Sequence, residues 1–119
     1  MSKQTVYLAV DFAINEGQLE AFDGIAQTMV AGTQKEPGAL AYEWYFSADG
    51  KKCRLETYAD ANAVVAHING PVVQELVPKL LGHSSITAFE VYGDPGPKST
   101  ELLKGIGAEI FDFRRGLDR

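Results

Sequence analysis

The first third of the chain alternates between apolar and polar positions and then changes to a helical repeat. Residues 5–14 alternate with a period of two, which is typical of a half-buried strand. After the break at Asn15-Glu16-Gly17, apolar residues recur at spacings of three and four, which predicts an amphipathic helix. This helix is expected to end before Pro37, because the residue preceding a proline avoids the helical region. The apolar positions of the strand are Val6, Leu8, Val10, Phe12 and Ile14, and those of the helix are Leu19, Phe22, Ile25, Ala26, Met29 and Val30.

A hairpin is predicted next, with strands over residues 39–47 and 52–59 joined at Asp49-Gly50. This dipeptide is favoured in tight hairpins. With it at the loop centre, a mostly apolar face carries Leu40, Tyr42, Trp44, Phe46, Cys53, Leu55 and Thr57, and the other face carries Glu43, Tyr45, Arg54, Glu56 and Tyr58. Glu43 then lies opposite Glu56. Facing carboxylates repel unless one is protonated or both find donors, so the pair is either an acid–base pair or, as we favour, part of an ordered interface.

The following segment predicts two helical stretches and a last strand. Asp60 is a typical N-cap for a helix over residues 61–69. Pro71 begins a second, strongly apolar stretch that Pro78 is expected to kink. Residues 83–92 form the last strand.

The element order β-α-β-β-α-β predicts an α+β, ferredoxin-like fold with a four-stranded antiparallel sheet. Residues 1–93 are expected to form this domain. Residues 94–119 are a C-terminal extension that opens with the linker-like Asp94-Pro95-Gly96-Pro97 and packs on the domain or on a second copy.

Composition narrows the class of protein. The 119 residues match one domain, and 45% hydrophobic with 23% charged residues indicates a folded core. A net charge of -5 argues against nucleic acid as a partner. No apolar run approaches the length of a membrane span, and the N-terminus lacks a signal-peptide core. We therefore expect a soluble, cytoplasmic protein without a membrane partner. One cysteine and two histidines lack metal-ligand spacing, so no metal site is expected.

A second copy of the chain is the expected partner. Helices on one side of the sheet leave the other side uncovered, and that side would carry Tyr7, Ala9, Tyr45 and Tyr58. Several aromatic residues on an uncovered face exceed the usual scatter of exposed apolar groups. A homodimer related by a two-fold axis covers such a face. The alternative is that the C-terminal segment folds back over it.

Three stretches resemble the antibiotic biosynthesis monooxygenase family. They are Glu36-Pro37-Gly38-Ala39-Leu40-Ala41-Tyr42-Glu43, Leu55-Glu56-Thr57-Tyr58 and Asp60-Ala61-Asn62-Ala63-Val64-Val65-Ala66-His67-Ile68. The similarity extends over about residues 5–93. It implies a dimeric α+β barrel with a pocket between sheet and helices. Members include cofactor-free oxygenases of polycyclic aromatic quinols and haem-degrading proteins, so the fold does not settle the chemistry.

His67 is the candidate catalytic residue. It lies three positions after Val64, at the border of the buried helix stripe, and the resemblance places a family histidine there. A neutral imidazole takes or orients a phenolic proton near neutral pH. The alternative is a histidine that is merely hydrogen-bonded at the helix border. His83 opens the last strand at a loop edge and is a weak candidate.

The expected substrate-binding residues form the wall of the implied pocket. Tyr42, Trp44 and Phe46 form an aromatic stripe, which is either ordinary core or a surface for a flat apolar ligand. The remaining lining is expected from Phe12, Phe22, Val64, Val73, Leu76 and Leu80.

Departures from the family separate the possible functions. The region after His67 lacks the tryptophan of the haem-degrading branch, and the first strand has Asp11 where that branch has asparagine. The resemblance therefore favours a cofactor-independent monooxygenase of a hydrophobic quinol or phenol. The alternative is a non-catalytic binding protein for a small hydrophobic or fatty-acyl ligand, because the expected pocket has few polar groups. A structural dimer without a ligand is the third interpretation.

Overall fold

The computed structural model describes residues 4–48 and 51–117, and for residues 51–55 it describes the backbone only. The predicted turn at Asp49-Gly50 lies outside this range, as do the predicted side-chain positions of Cys53, Arg54 and Leu55. Among the described residues, no helix is long and apolar enough to cross a membrane.

The sheet has the order β2-β3-β1-β4-β5. Its strands are β1 (Val6–Ile14), β2 (Ala39–Phe46), β3 (Lys51–Tyr58), β4 (Ser84–Tyr92) and β5 (Glu109–Phe111). The first four pair antiparallel, as predicted for the ferredoxin-like fold. The prediction of four strands was one too few, because β5 of the C-terminal extension adds to the edge of β4 in parallel.

The helices pack on the buried side of β1. They are α1 (Leu19–Thr33), α2 (Ala61–Asn69), α3 (Val77–Leu80) and α4 (Pro97–Gly105). A π-helical turn, Val72–Leu76, precedes α3. Pro78 has no N–H to continue an α-helical ladder, which accounts for this change of helical register.

Two apolar clusters form the core, and β1 contributes to both. One contains Val6, Leu8, Tyr58, Val64, Val91, Leu103 and Ala108. The other contains Val10, Phe12, Phe22, Met29, Val72 and Leu80. The alternation of β1 therefore predicted its buried face correctly. Leu103 and Ala108 tie the C-terminal segment into the same core as the ferredoxin-like part.

The pairing of β2 with β3 differs by one residue from the predicted register. Glu43 lies opposite Leu55, and Glu56 lies opposite Tyr42. The predicted Glu43–Glu56 pair is therefore wrong. All pairs from Ala41↔Thr57 to Phe46↔Lys52 have this register, and the ladder is irregular again between Ala39 and Ala41.

This shift of one residue exchanges the two faces of β3. Side chains alternate along a strand, so a slip of one position moves every side chain to the opposite side. Glu56 and Tyr58 were predicted to lie on the open face, yet both are fully buried on the helix side. Because Glu56 and Tyr58 lie on the helix side, a carboxylate and a hydroxyl group are buried between the sheet and the helices.

Gly38 brings the loop between α1 and β2 close to α2. A Cβ built on Gly38 would lie 2.5 Å from the Cβ of Ala63, a distance that real Cβ atoms do not reach. Only a glycine lets the loop backbone approach the helix this closely. As a consequence, Glu36 of this loop reaches the side of α2 that carries His67.

Candidate functional site

His67 is held inside the molecule by a well-formed α2. The Asp60 side chain caps this helix by accepting a hydrogen bond from the Ala63 N–H at 3.0 Å, as the sequence predicts. Val64, one turn before His67, is fully buried in the core. His67 follows on the same helix face and is 2% exposed. A buried imidazole needs polar partners, because an unsatisfied buried polar group is costly.

Two carboxylates flank the imidazole. Nδ1 of His67 lies 2.8 Å from Oε1 of Glu36, and Nε2 lies 3.3 Å from Oε1 of Glu56. The Glu36 side chain is 20% exposed, whereas Glu56 is fully buried. The imidazole therefore lies between the carboxylate of a fully buried side chain and that of a partly exposed one.

Tyr58 completes this polar group. Its hydroxyl donates a hydrogen bond to Oε1 of Glu56, and its ring centre lies 5.1 Å from that of His67. We call Glu36, Glu56, Tyr58 and His67 the His67 cluster. Its members come from the α1–β2 loop, β3 and α2, so only the tertiary structure brings them together.

Proton counting shows what the His67 cluster can do. When Glu36 is ionised, Nδ1 of His67 carries a proton and donates a hydrogen bond to that carboxylate. Nε2 lies 3.3 Å from Oε1 of Glu56 but makes no hydrogen bond among the described residues. A neutral imidazole with its proton on Nδ1 keeps a lone pair on Nε2, and such a lone pair can accept a proton in general acid–base chemistry.

An aromatic wall continues from the His67 cluster toward α1. Tyr42 lies 5.8 Å from the His67 ring and 5.9 Å from that of Trp44. Trp44 in turn stacks on Phe12 at 6.0 Å and meets the edge of Phe22 at 5.8 Å. These rings pack in contact with one another. They occupy much of the space between sheet and helices where the resemblance implies a pocket.

The other predicted lining residues fall into two groups. Val64 and Leu80 are fully buried and Leu76 packs against the second core cluster. Val73 and Phe46 are less buried: Val72, and not Val73, belongs to the second core cluster, and Phe46 is 50% exposed near the end of β2. His83 lies at the start of β4, where its Nδ1 is 2.6 Å from Oε1 of Gln18.

Two open depressions lie near these elements. One, of about 200 Å³, lies between α1 and β2 and is lined by Val30, Thr33, Gln34, Ala39, Leu40, Ala41 and Tyr42. The other, of about 220 Å³, lies at the C-terminal segment and is lined by Thr5, Tyr7, Tyr92, Gly93, Phe111, Asp112, Phe113 and Arg114. Tyr42 links the first depression to the His67 ring. No group of three or more His, Cys, Asp and Glu side chains among the described residues is arranged to hold a metal ion.

Sequence reasoning missed three members of the His67 cluster. Glu36 was not among the predicted site residues, and Glu56 and Tyr58 were predicted to lie on the open face. A signal for the latter two was present, since Glu56 and Tyr58 share a face by the period of two. The missing information was the pairing register, in which Glu56 lies opposite Tyr42.

Comparisons with known proteins agree with this fold. The model of the antibiotic biosynthesis monooxygenase family matches residues 5–79. A search of curated protein sequences gave no significant match. MupZ from Pseudomonas fluorescens has a similar structure, with a TM-score of 0.87 and 27% identity over 98% of this chain and 95% of that one.

Two further solved structures share the fold at lower identity. SnoaB, a cofactor-independent oxygenase from Streptomyces nogalater, gives a TM-score of 0.68 and 14% identity over 79% of this chain and 96% of its own. A conserved protein of Bacteroides thetaiotaomicron, described as a possible oxidoreductase, gives 0.69 and 22% over 76% and 97%. The family match covers more than half of the chain and agrees with the observed topology. The chain therefore belongs to the antibiotic biosynthesis monooxygenase family.

Proposed function

We propose that this chain catalyses the cofactor-independent oxygenation of a hydrophobic quinol or phenol-like substrate, with His67 as the base. The observation that carries the proposal is the buried imidazole of His67 held between Glu36 and Glu56. A purely structural helix-border histidine needs one partner, whereas this one has a carboxylate oxygen within 3.3 Å of each ring nitrogen.

The His67 cluster supplies the proton chemistry of the first step. Glu36 fixes the orientation of the ring through Nδ1, which directs Nε2 toward Glu56 and the interior. Removal of the phenolic proton by the imidazole leaves an electron-rich anion. The two neighbouring carboxylates, Glu36 and Glu56, balance the positive charge of the protonated imidazole.

The substrate anion then reacts with dioxygen. The anion transfers electrons to O₂, a carbon–oxygen bond forms, and the resulting peroxide loses water to give a carbonyl group. One oxygen atom enters the product and the other leaves as water. The aromatic wall around Tyr42 and Trp44 excludes water from the anion, which raises the strength of electrostatic interactions at the site.

A substrate reaches His67 past Tyr42. The Tyr42 side chain lines the α1–β2 depression, and its ring lies 5.8 Å from the imidazole. Tyr42 and Trp44 therefore position the substrate ring in this proposal.

The alternative is a non-catalytic binding protein for a small hydrophobic or fatty-acyl ligand. Apolar side chains such as Val30, Leu40 and Ala41 line part of the α1–β2 depression, and this apolar part favours the alternative. The alternative assigns no role to His67 and its two neighbouring carboxylates.

A homodimer is part of the same proposal. Tyr45, Tyr92 and Phe111 expose between 38% and 55% of their surface on the side of the sheet away from α1 and α2. Such an aromatic surface is typical of an interface between copies. Light scattering at micromolar concentration should give twice the mass of the chain; a value equal to the 12.9 kDa of one chain contradicts the dimer.

Oxygen uptake with a panel of quinols and phenols under air tests the proposed reaction. His67→Asn keeps an amide donor for Glu36 but removes the base, so we expect uptake to fall about 100-fold or more. His83→Asn is the matched control, because the His83 imidazole contacts Gln18 and is not part of the His67 cluster. Oxygen uptake by this variant should stay within about twofold of that of the unmodified protein.

The same experiment separates the alternative. Uptake that never exceeds the uncatalysed rate contradicts the oxygenase. A fatty-acyl molecule released from the purified protein and identified by mass spectrometry would then support the binding function.

A further inference from the structure

The side of the sheet that faces away from α1 and α2, the open face, carries a group of carboxylates. Glu90 on β4 lies beside Glu109 on β5, and Asp11 points to the same side from β1, two positions beyond the partner of Glu90. We call Asp11, Glu90 and Glu109 the acidic group. A hydrogen bond to Glu90 raises the pKa of Tyr92 most, and the negative charges of the acidic group raise it further. The three carboxylates therefore lie close enough together to act on one hydroxyl group.

The described part of the chain forms no ion pair with the acidic group. Among the described side chains of the five strands, no lysine or arginine lies on the open face. Neighbouring carboxylates repel one another unless a positive charge approaches them. The acidic group is therefore suited to a cation from a second molecule.

Two arginines lie at one end of the same face. Arg114 lines the C-terminal depression together with Tyr7 and Tyr92, which lie where β1 begins and β4 ends. Arg114 and Arg115 are exposed, and neither forms an ion pair with a described residue. Asp112 lines the same depression and offsets one of the two positive charges. This end of the open face is therefore positive, whereas the face is negative farther along β4 and β5.

Aromatic rings separate the two charged regions. Tyr92 stacks on Phe111 with the ring centres 5.2 Å apart, and each side chain is 38% exposed. In a two-fold interface, each contact between residue i of one copy and residue j of the other occurs twice. A face that is positive at one end, apolar in the middle and negative beyond it can therefore complement a second copy of itself.

We propose that a second copy of this chain packs on the open face with its Arg114 and Arg115 over the acidic group, and that the two-fold axis passes near Tyr92 and Phe111. This inference rests on the homodimer of the proposed function and adds the charges that fix its arrangement. The family model matches residues 5–79, so both arginines belong to a part of the chain beyond that match. The C-terminal segment thus supplies the cations of the interface.

Reversal of charge on either side tests this contact. One variant combines Arg114→Glu with Arg115→Glu, and the other combines Glu90→Arg with Glu109→Arg. In each homodimer both contacts then join like charges, and we expect the Kd of dimerisation, measured by sedimentation velocity, to rise about 30-fold or more. An equimolar mixture of the two variants should form a heterodimer, because both of its contacts again join opposite charges. Native mass spectrometry identifies this heterodimer by its mass.

The matched control is Lys98→Glu with Lys104→Glu. Both lysines are exposed on α4, and the control makes the same change in net charge as the arginine variant. The Kd of its dimer should stay within about twofold of that of the unmodified protein. The unmodified protein provides a test without any substitution: raising NaCl from about 0.05 to 0.5 M should raise its Kd about 5- to 10-fold, because salt screens the charges.

Three results would overturn the contact and leave the homodimer itself in place. They are equal Kd values for the arginine variant and the lysine control, a mixture of the two reversed variants that forms no heterodimer, and a dimer of the unmodified protein that salt does not weaken. An unmodified protein that stays monomeric rejects both the contact and the homodimer. Oxygen uptake is measured separately and decides whether the oxygenase stands.

Discussion

A glutamate two residues before a tyrosine occurs on three strands of this sheet, in two different environments. Glu56 and Tyr58 on β3 face the helices and are fully buried. Glu43 and Tyr45 on β2 are exposed, and Tyr92 on β4, whose hydroxyl donates to Glu90 at 2.7 Å, is 38% exposed. In each case the period of a strand places both side chains on one face. The local pattern makes the pair, and burial decides what the pair can do.

The two environments have different energetic consequences. On the open face, water competes for both groups, so the pair contributes little to stability. On the buried face, each polar atom needs a protein partner, and Glu56 therefore serves both Tyr58 and His67. This need for several partners is why a buried pair becomes part of a cluster, whereas an exposed pair stays isolated.

Removing the buried carboxylate should give the largest difference between the two environments. Glu56→Ala leaves the Tyr58 hydroxyl buried without its acceptor and removes the carboxylate next to His67, and we expect it to lower the free energy of unfolding by about 3 kcal/mol. Glu43→Ala, the matched exposed change, should lower it by about 0.5 kcal/mol or less. Urea unfolding followed by circular dichroism measures both. Similar losses in the two variants would show that burial of Glu56 has no special energetic weight.

Removing the buried hydroxyl should have a smaller effect. Tyr58→Phe keeps the ring and its packing but deletes the donor to Glu56, so we expect a loss of about 1–2 kcal/mol. Tyr45→Phe should change the free energy of unfolding by about 0.5 kcal/mol or less. The same urea titrations measure this pair of variants. If Tyr58→Phe is as stable as the unmodified protein, the hydrogen bond to Glu56 contributes nothing.

The smallest effect is expected for the titration of the exposed pairs. The negative charge of Glu43 raises the pKa of Tyr45, assisted by desolvation and by a hydrogen bond between the two side chains. Glu43→Gln should therefore lower the pKa of Tyr45 toward the ordinary tyrosine value of about 10. Absorbance of tyrosinate during a titration to alkaline pH measures this shift. An unchanged titration curve in Glu43→Gln would show that Glu43 does not act on Tyr45.

The sign of the pH dependence follows from the raised pKa. A tyrosine whose pKa is raised by folding adds stability below its ordinary pKa, and this contribution is lost as the pH rises through the raised value. The pKa of Tyr92 is also raised, because its hydroxyl forms a hydrogen bond with Glu90, so its contribution to stability has the same pH dependence. The small contribution of the exposed pairs is therefore present near neutrality and lost at strongly alkaline pH.

Most of the fold followed from residue patterns. The period of two gave the buried face of β1, and the Asp60 cap with the following apolar spacing predicted α2 over the bounds that it has. These predictions succeeded because strand and helix periodicity depend on neighbouring residues alone. The fifth strand was missed because three residues, Glu109–Phe111, are too short to show a period.

The candidate site was harder to predict. The notable success was the placement of His67 at the edge of a buried helix stripe; its partners were missed because each depends on a distant contact. Glu36 reaches His67 through the close approach of Gly38 to Ala63, which no local pattern shows. The burial of Glu56 and Tyr58 depended on a pairing register that differs by one residue from the predicted one.

The sequence by itself determined which side chains share a face of each strand or helix, because that property follows from the 2.0 and 3.6 periods of the backbone. It also determined the order of elements that makes the fold. The tertiary structure alone decided which face of β3 turned inward, and thus that Glu56 and Tyr58 meet His67 and Glu36. The physical reason is that the pairing register and the approach of Gly38 to α2 are set by contacts between distant residues, which local periodicity does not encode.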